Sequence, residues 1–295
     1  MSILTLAGTL LLLTSLWASW GWAGTLSPTE VPPGKSDTET VLHADLVGAA
    51  NPDGAMLVLG AYRRWIREFD KVHGIPSAYL QGGAMLGVNP AYVQASVYGE
   101  WMPAIFAQLR LQYDLYGFFG SNGALLSFPS AEARFGDREI DALNGQEESS
   151  LGHRILLQPT LRAKAGPLIF RNQTDVAYYR FDGRGPYFFE REYDTLLKDG
   201  DFLIANRTHV LYEAWKGKGD EMLLAGPFYE VTHAADAKLT RQRIGAALYW
   251  VPKERVWSLS RPRLYAEIGF NVQDRNRDDE VFAIFGVGFD YDFLK

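Results

Sequence analysis

Apolar and polar residues alternate along this chain with a period of two, over successive segments of about ten residues. In the segment 91–101, small or apolar side chains occupy every second position from Ala91 to Trp101, with Ser96 and Glu100 between them. Such alternation predicts a β-strand with one apolar and one polar face. Hydrophobic residues make up 47% of the 295 residues, but they are interleaved rather than gathered into internal runs of helix-spanning length. The pattern predicts an all-β protein and excludes a bundle of transmembrane helices.

We predict twelve strands from this alternation. They begin near residues 56, 79, 91, 104, 123, 153, 168, 201, 221, 240, 262 and 281. Two segments leave an alternative open. Residues 52–73 also fit a helix, because Leu57, Ala61 and Trp65 repeat at every fourth position. Pro129 weakens the prediction of a strand in 123–132. Without both segments, the protein would have ten strands and an N-terminal helix.

Two predicted hairpins support an antiparallel arrangement of these strands. Pairing across the first predicted turn, residues 102–104, places Ser96 opposite Arg110, and pairing across a later turn places Thr160 opposite Arg171. In both hairpins the polar faces of the two strands coincide, and so do the apolar faces, as neighbours on one sheet require. We therefore predict that consecutive strands pair in an antiparallel manner.

The polar faces and the placement of aromatic residues indicate a barrel in a lipid bilayer. The polar faces carry Gln, Arg, Tyr, Thr and Ser in mid-strand, which suits a wet interior. Trp and Tyr collect near strand ends, at Trp65, Trp101, Trp215, Tyr249, Trp250 and Trp257. Aromatic girdles of membrane barrels occupy such positions. Strands in hydrocarbon must satisfy their backbone hydrogen bonds between strands, so the sheet must close. We predict a closed antiparallel transmembrane β-barrel of about 12 strands; a soluble barrel or sandwich is the alternative.

The N-terminal region differs in composition from the predicted barrel. Residues 3–17 are apolar, and small residues at the end of this region suit cleavage after Ala23. We therefore predict that residues 1–23 are a cleaved signal peptide, with an uncleaved anchor as the alternative. Residues 24–53 contain several prolines and mixed charges, which predicts a flexible periplasmic segment. Residues 54–295 would then form the transmembrane barrel.

The C-terminus resembles the assembly signal of Gram-negative outer-membrane β-barrel proteins. Gly288 is followed by the aromatic residues Tyr291 and Phe293, two positions apart. The chain departs from the pattern by continuing through Leu294 and Lys295. The resemblance implies location in the outer membrane of a Gram-negative bacterium and insertion by the barrel-assembly machinery. It also implies that the surrounding molecules are outer-membrane lipid and lipopolysaccharide.

Charged residues on the predicted polar faces are candidates for a functional lumen. The seven lumen-lining candidates are Glu100, Arg110, Asp114, Arg171, Asp175, Arg263 and Glu267. Facing rows of Arg and carboxylate side chains create a transverse field that orients small hydrophilic solutes. We therefore expect a passive, porin-like channel for such solutes, as a monomer or a trimer.

A closed interior is the alternative function of the same charges. If they pair with one another, the barrel is structural or binds a partner at the surface, through outer loops predicted at 133–152 and 182–200. The segment Pro186–Arg191 is apolar enough to bind a partner or to fold into the mouth as a plug. A third predicted long connection, 66–78, contrasts with short ones such as 88–90, as in outer-membrane barrels.

The sequence contains no recognisable catalytic, metal-binding or nucleic-acid motif. An outer-membrane lipid hydrolase, with Ser121 of Gly-Ser-Asn-Gly as its nucleophile, is the less favoured alternative, because no histidine lies near Ser121 in sequence and the tetrapeptide is typical of a turn. The segment 274–279 lacks the glycine of a calcium loop and is interpreted as a solvated hairpin loop. The chain has no cysteine and a net charge of −6. We expect no enzymatic activity, cofactor, metal or nucleic-acid partner.

Overall fold

The computed structural model describes residues 38–292 except 52, 70–75, 218–220, 253–254, 257–258 and 278. The described chain is built of β-strands and one short helix. The elements are β1 (Thr38–Ala50), β2 (Gly54–Phe69), β3 (Pro76–Val88), β4 (Tyr92–Ala104), β5 (Ala107–Phe118), β6 (Ser127–Phe128), α1 (Asp137–Ala142), β7 (Leu151–Ala165), β8 (Leu168–Phe181), β9 (Tyr187–Glu190), β10 (Thr195–Lys198), β11 (Phe202–Lys216), β12 (Met222–Ala234), β13 (Leu239–Val251), β14 (Arg255–Val256), β15 (Leu259–Gln273) and β16 (Val281–Asp292). Among these residues, no helix has the length and apolar character needed to cross a membrane.

Twelve of the strands form a closed antiparallel barrel. The wall strands are β1–β5, β7, β8, β11–β13, β15 and β16. Each pairs with its neighbour in this order, and β1 pairs with β16, from Val41 opposite Asp292 to Ala50 opposite Ala283. Closure leaves no strand edge unpaired, which is what a bilayer requires. The predicted closed barrel of about 12 strands is confirmed.

Side chains alternate between the two faces of the wall, with the polar ones inside. In β4, Glu100 is 1% exposed, whereas Val97 is 57% and Trp101 48% exposed. The other wall strands follow the same rule, so large apolar side chains cover the outside and charged side chains fill the interior. A soluble barrel or sandwich has the opposite distribution, and the outer surface is therefore the lipid-facing surface of a membrane barrel.

The two ends of the barrel differ in the length of their connections. Thr38, Asp292 and the short turns 105–106 and 166–167 lie at one end, and the loops 119–150 and 182–201 lie at the other. Since outer-membrane barrels have short periplasmic turns and longer external loops, we assign the first end to the periplasm. Of the predicted long loop 66–78, residues 66–69 belong to β2 and residues 76–78 to β3, at the periplasmic end, and the turn 88–90 lies at the outer end.

An aromatic girdle follows the periplasmic rim. Trp65, Trp101, Trp215 and Trp250 lie near that end, each between 42% and 48% exposed on the lipid side. Two of the predicted girdle residues differ from them. Tyr249 is 3% exposed and points into the barrel, because it has the opposite parity to Trp250, and Trp257 lies outside the described residues.

One predicted boundary and one predicted strand are wrong, and the two errors compensate in the strand count. Residues 38–50, predicted as part of the flexible segment 24–53, form β1, so the barrel begins at Thr38 rather than at residue 54. Buried Val41 and Val47 alternate there with exposed Leu42 and Leu46, which is the same period-two pattern. Residues 1–37, which include the predicted signal peptide, lie outside the described residues.

The segment 123–132 is not a strand of the wall. Only Ser127–Phe128 is extended, and it belongs to a separate sheet. The helical alternative for 52–73 is wrong, because residues 54–69 form β2. Leu57, Ala61 and Trp65 all point outward, since a spacing of four is also two strand periods.

The predicted hairpin registers are shifted by even numbers of residues. Ser96 lies opposite Asp114 rather than Arg110, and Thr160 lies opposite Gln173 rather than Arg171. The first shift arises because β4 continues through the predicted turn and ends at residue 104. An even shift preserves which face each side chain occupies, so the predicted inner and outer faces are still correct.

The outer loop 182–201 folds back into the barrel. Its strands β9 and β10 form a hairpin, which pairs with β6 from the loop 119–150 in a three-stranded sheet. We call residues 187–198 the luminal hairpin. Its apolar side chains Phe188, Phe189, Leu196 and Leu197 are at most 3% exposed. The plug proposed from the apolar segment Pro186–Arg191 therefore corresponds to an element that lies inside the lumen.

Candidate functional site in the barrel lumen

The seven predicted lumen residues all lie on the inner side of the wall. Their exposed fractions run from 0% for Arg110 and Asp114 to 7% for Arg263. An open aqueous channel would leave such side chains accessible to water. The lumen is instead filled, partly by ion pairs between wall residues and partly by the luminal hairpin.

Near the periplasmic end, Glu100 and Arg110 compensate each other within the wall. Arg110 donates to Glu100 Oε2 from Nη2 at 2.8 Å and from Nε at 3.0 Å. The Tyr79 hydroxyl donates to the other carboxylate oxygen at 2.6 Å. The Arg110 guanidinium also lies 4.2 Å from the centre of the Tyr98 ring. Glu100 and Arg110 therefore neutralise each other without the outer loops.

Arg263 connects the first and last strands of the barrel. Its Nη2 donates to Asp45 Oδ1 at 2.8 Å, and its Nη1 donates to Asp290 Oδ1 at 2.7 Å. Gly288 lies beside these groups, and a Cβ at this position would overlap with the Asp45 carboxylate and approach Arg263. Gly288 thus provides the space in which this ion pair forms, independently of its predicted role in assembly.

The substitution Gly288→Ala is expected to destabilise the folded barrel by about 1–3 kcal/mol, because the methyl group must displace a buried, hydrogen-bonded carboxylate. Gly99→Ala is a matched control, since a Cβ there meets no atom within 4 Å. Urea unfolding in lipid vesicles, followed by tryptophan fluorescence, measures both variants. Equal midpoints would contradict this explanation of Gly288.

The other two residues of the predicted assembly signal give less structural information. Tyr291 is 46% exposed on the lipid side near the periplasmic end. Phe293 lies outside the described residues. Recognition by the assembly machinery therefore stays a prediction.

Asp114 and Arg154 form a polar centre in the lumen, nearer the outer than the periplasmic ends of their strands. Asp114 Oδ1 accepts hydrogen bonds from Gln94 at 2.8 Å and Ser96 at 2.5 Å. Its Oδ2 accepts from Arg154 Nε at 2.6 Å. Arg154 Nη1 in turn donates to Glu192 of the luminal hairpin at 2.8 Å. Arg154 therefore lies between a carboxylate of the wall and a carboxylate of the hairpin.

Asp175 is the second point at which the wall meets the hairpin. It accepts hydrogen bonds from Gln158 at 2.7 Å and Gln173 at 3.0 Å, both from the wall. The hydroxyl of Tyr193 in the hairpin donates to its other oxygen at 3.2 Å. Arg171 donates to Gln173 beside this group. The hairpin thus completes a hydrogen-bond network that the wall begins.

Glu267 belongs to a buried network with His209 and Tyr249. His209 Nε2 lies 3.0 Å from Glu267 Oε1, and the Tyr249 hydroxyl donates to the same oxygen at 2.9 Å. Arg207 Nη1 lies 3.7 Å from Glu267 Oε2 and also pairs with Glu230. His209 is 0% exposed, so this arrangement offers no surface to a substrate.

Asp194, at the turn of the hairpin, faces three arginines. Its Oδ2 lies 2.8 Å from Arg277 Nε, 3.5 Å from Arg241 Nη1 and 3.7 Å from Arg243 Nη2. We call Arg241, Arg243 and Arg277 the arginine trio. All four side chains are at most 4% exposed. Burial lowers the pKa of Arg277, but Asp194 and Asp137 outweigh it and hold this pKa above its usual value.

The glutamates of the hairpin are less easily ionised than exposed ones. Burial raises the pKa of the Glu190 carboxyl to about 7, against the partly opposing effects of the Tyr193 amide and Arg154. Burial likewise raises the pKa of Glu192 well above its usual value, although Arg154 opposes this shift. Burial in the lumen therefore favours the protonated form of both carboxyl groups.

The loop 119–150 contacts both the luminal hairpin and the arginine trio. Arg277 donates to Asp137 of α1 at 2.6 Å, and Arg191 of the hairpin donates to the carbonyl of Asn122. Ser121, considered above as a nucleophile, donates to the carbonyl of Pro90 at 3.3 Å. Asn122, beside it, has a positive φ of 58°, as the predicted turn requires.

The residues missed by the sequence analysis are those supplied by the loops and by β1. Glu192 and Asp194 follow the proposed plug segment but were not assigned to the lumen, and Asp45 lies in the segment predicted to be flexible. Arg277 was placed in a solvated loop, whereas it is 1% exposed. The alternation around Asp45 was a usable signal. Within the described ranges, no group of three or more His, Asp or Glu side chains is arranged to hold a metal ion.

The chain is similar in fold to solved structures of outer-membrane proteins. The β domain of the Bordetella autotransporter BrkA has a TM-score of 0.47 and 12% identity, over 87% of this chain and 99% of that one. An outer membrane channel from Pseudomonas putida F1 has a TM-score of 0.44 and 12% identity, over 91% and 100%. The KdgM porin in complex with disordered oligogalacturonate has a TM-score of 0.39 and 8% identity, over 86% and 99%. No protein-family model and no curated protein sequence matches the chain. With its apolar outer wall and charged interior, the chain is an outer-membrane β-barrel.

Proposed function

We propose that this protein is an outer-membrane channel for small hydrophilic solutes whose lumen is closed by the luminal hairpin. The observation that carries the proposal is the separation of the hairpin from the wall. In the described chain, β9 and β10 pair with each other and with β6, and not with any of the twelve wall strands. The wall closes on itself through β1 and β16. The hairpin can therefore leave without breaking a strand pair of the barrel.

The contacts of the hairpin with Arg154, Asp175 and the arginine trio are made by side chains. Glu192 meets Arg154, Tyr193 meets Asp175, and Asp194 meets the arginine trio. Water and ions can replace such contacts when the hairpin moves, whereas they cannot replace a strand of the wall in lipid. These contacts suit an element that moves in and out of the lumen.

The width of the barrel also supports a channel. Eight-stranded barrels are filled by their own side chains, and open porins have about 16–18 strands. A barrel of twelve strands lies between them, and this one accommodates a whole hairpin in its lumen. Removal of the hairpin would leave a passage of comparable cross-section, which suits small solutes.

Solute flux into proteoliposomes tests this function. The informative variant has residues 187–198 replaced by a Gly-Ser linker of equal length. We expect liposomes that contain it to swell rapidly in an isotonic solution of arabinose, and liposomes with the intact protein to swell slowly. Replacement of the exposed residues 144–146 in the other long loop is the matched control. A variant without the hairpin that is folded, as its heat-modifiable migration shows, yet does not admit arabinose would contradict the channel and favour a structural or surface-binding barrel.

The proposed opening is expected to increase with pH. The pKa of Glu190 is about 7 in the closed state, and exposure of the released hairpin restores it towards the usual 4.5. The closed state therefore binds the proton more tightly, and its advantage declines as the pH rises from about 5 to about 8. Single-channel recordings over this range measure the effect, and Glu190→Gln should reduce it. More frequent opening at the acidic end would contradict this assignment.

A further inference from the structure

The arginine trio carries more positive charge than the wall around it neutralises. Arg241 Nη2 lies 3.0 Å and Arg243 Nη1 3.9 Å from Glu230 Oε1. Glu230 is shared, however, because it also accepts a hydrogen bond from Arg207 at 2.7 Å. Asp194 of the hairpin is the buried carboxylate that faces the whole trio. When the hairpin leaves, it takes this negative charge with it. Arg277 then keeps Asp137 at 2.6 Å and Glu280 at 3.6 Å, whereas Arg241 and Arg243 keep only the shared Glu230 as an acidic partner within the described chain.

The contacts between Asp194 and the arginine trio are ion pairs in which no hydrogen bond is made. Among the described residues, neither carboxylate oxygen of Asp194 accepts a hydrogen bond, and the nitrogens that face it, Arg241 Nη1, Arg243 Nη2 and Arg277 Nε, donate none. Guanidinium groups bind carboxylate and phosphate best through paired hydrogen bonds of about 2.7–2.9 Å. The trio therefore presents three buried donors that a single aspartate does not use.

Arg154 provides a second positive group on another part of the inner wall, in β7. It is 0% exposed and lies between Asp114 of the wall and Glu192 of the hairpin. The rings of Tyr116 and Tyr179 flank its guanidinium at 5.8 Å each. Departure of the hairpin removes Glu192 and leaves Arg154 with Asp114. The vacated space thus gains positive charge at two places.

We propose that the space vacated by the luminal hairpin binds an anionic solute with carboxylate or phosphate groups, with the arginine trio as its principal contact and Arg154 as a second contact. This inference rests on the proposed function, because the site is reached only when the hairpin leaves. In the closed state, Asp194 and Glu192 occupy the positions of the anionic groups of the solute. A solute of this class therefore competes with the hairpin and favours the open state.

The inference predicts the ion selectivity of the variant in which residues 187–198 are replaced by the Gly-Ser linker. In planar bilayers with a KCl gradient, the reversal potential should show that chloride carries most of the current. Inorganic phosphate at millimolar concentration should reduce the chloride current. Adding Arg241→Gln and Arg243→Gln should raise the phosphate concentration required at least tenfold and lower the chloride selectivity. Arg180→Gln, on the lipid side of the wall with 61% of its side chain exposed, is the control and should change neither quantity.

A second variant keeps the test informative if the protein with Arg241→Gln and Arg243→Gln does not fold. Arg277 lies in the loop between β15 and β16, outside the wall strands, so Arg277→Gln in the same background should fold and should weaken the phosphate effect several-fold. A conducting pore that is non-selective or cation-selective and insensitive to phosphate would overturn the anion site and leave the channel intact. A silent pore would contradict the channel. In that case, calorimetry with phosphate on the same protein in detergent tests the anion site. Phosphate binding that Arg277→Gln weakens would support the anion site, and absence of phosphate binding would overturn it.

Discussion

Asp194→Asn is expected to increase the open fraction of the channel by a factor of about 100 or more. Asparagine has nearly the same shape as aspartate but carries no charge, so the arginine trio would remain buried against a neutral group. Breaking a buried ion pair by removing one partner costs about 3–5 kcal/mol, and about 1.4 kcal/mol corresponds to a tenfold change in an equilibrium constant. Release of the hairpin lets water and ions reach the arginines, so the cost falls on the closed state.

Single-channel recording in planar bilayers measures this effect directly. Asp182→Asn is the matched control, because Asp182 is an exposed residue of the same outer loop and should leave the open fraction unchanged. Asp194→Asn should give frequent openings with the conductance of the variant that lacks the hairpin. If both substitutions behave like the intact protein, the trio does not hold the hairpin through Asp194.

Arg154→Gln is expected to lower the free energy of unfolding by about 3–5 kcal/mol, because it leaves two carboxylates buried without their shared cation. Asp114 keeps hydrogen bonds from Gln94 and Ser96, but Glu192 depends on Arg154 for its ion pair. Glu192→Gln, added to Arg154→Gln, should therefore recover part of the loss. The two effects should be strongly non-additive, as expected for residues in contact.

Urea unfolding in lipid vesicles gives the four free energies of this double-mutant cycle. Arg180→Gln is again the control, since the Arg180 pair with Asp199 is exposed at the surface and such pairs contribute about 0–1 kcal/mol. Losses from Arg154→Gln and Glu192→Gln that simply add would show that the two side chains do not stabilise each other. A midpoint for Arg154→Gln equal to that of Arg180→Gln would contradict the buried pair itself.

The faces of the wall strands were predictable because strand geometry is local. The side of the wall that a residue occupies depends only on its parity within a strand, so Glu100, Arg110 and Glu267 could be assigned to the lumen from alternation alone. The register required the exact turn positions, and the continuation of β4 to residue 104 shifted it without changing any face. The even shift explains why the predicted faces are correct although the predicted partners are wrong.

The predicted number of wall strands was correct because one strand was missed and another segment was wrongly counted as a strand. β1 was missed because the prolines and charges that precede it suggested a flexible segment, although its own residues alternate. The segment 123–132 was counted as a strand despite Pro129, yet its apolar residues Leu125 and Leu126 are both buried, at 1% exposure each. Local pattern alone cannot distinguish an apolar segment that packs inside a loop from one that faces lipid.

The closure of the lumen was less predictable, because it depends on contacts between distant segments. Asp194 meets Arg241 and Arg243 from β13 and Arg277 from the following outer loop, and no local pattern indicates this meeting. The apolar character of Pro186–Arg191 suggested a plug or a partner site. It could not decide between them, because the cation partners that retain Glu192 and Asp194 are visible only in three dimensions.

Thiol accessibility at Ala177 tests the central claim, that the luminal hairpin closes the lumen. The chain has no cysteine, and Ala177 lies on the inner side of β8 with 0% exposure, so Ala177→Cys introduces a single reporter thiol with a small change in volume. We expect a charged, membrane-impermeant thiol reagent to label it slowly in the otherwise intact protein and rapidly once residues 187–198 are replaced by the linker. Rapid labelling with the hairpin present, or continued protection without it, would contradict the claim that this segment closes the barrel.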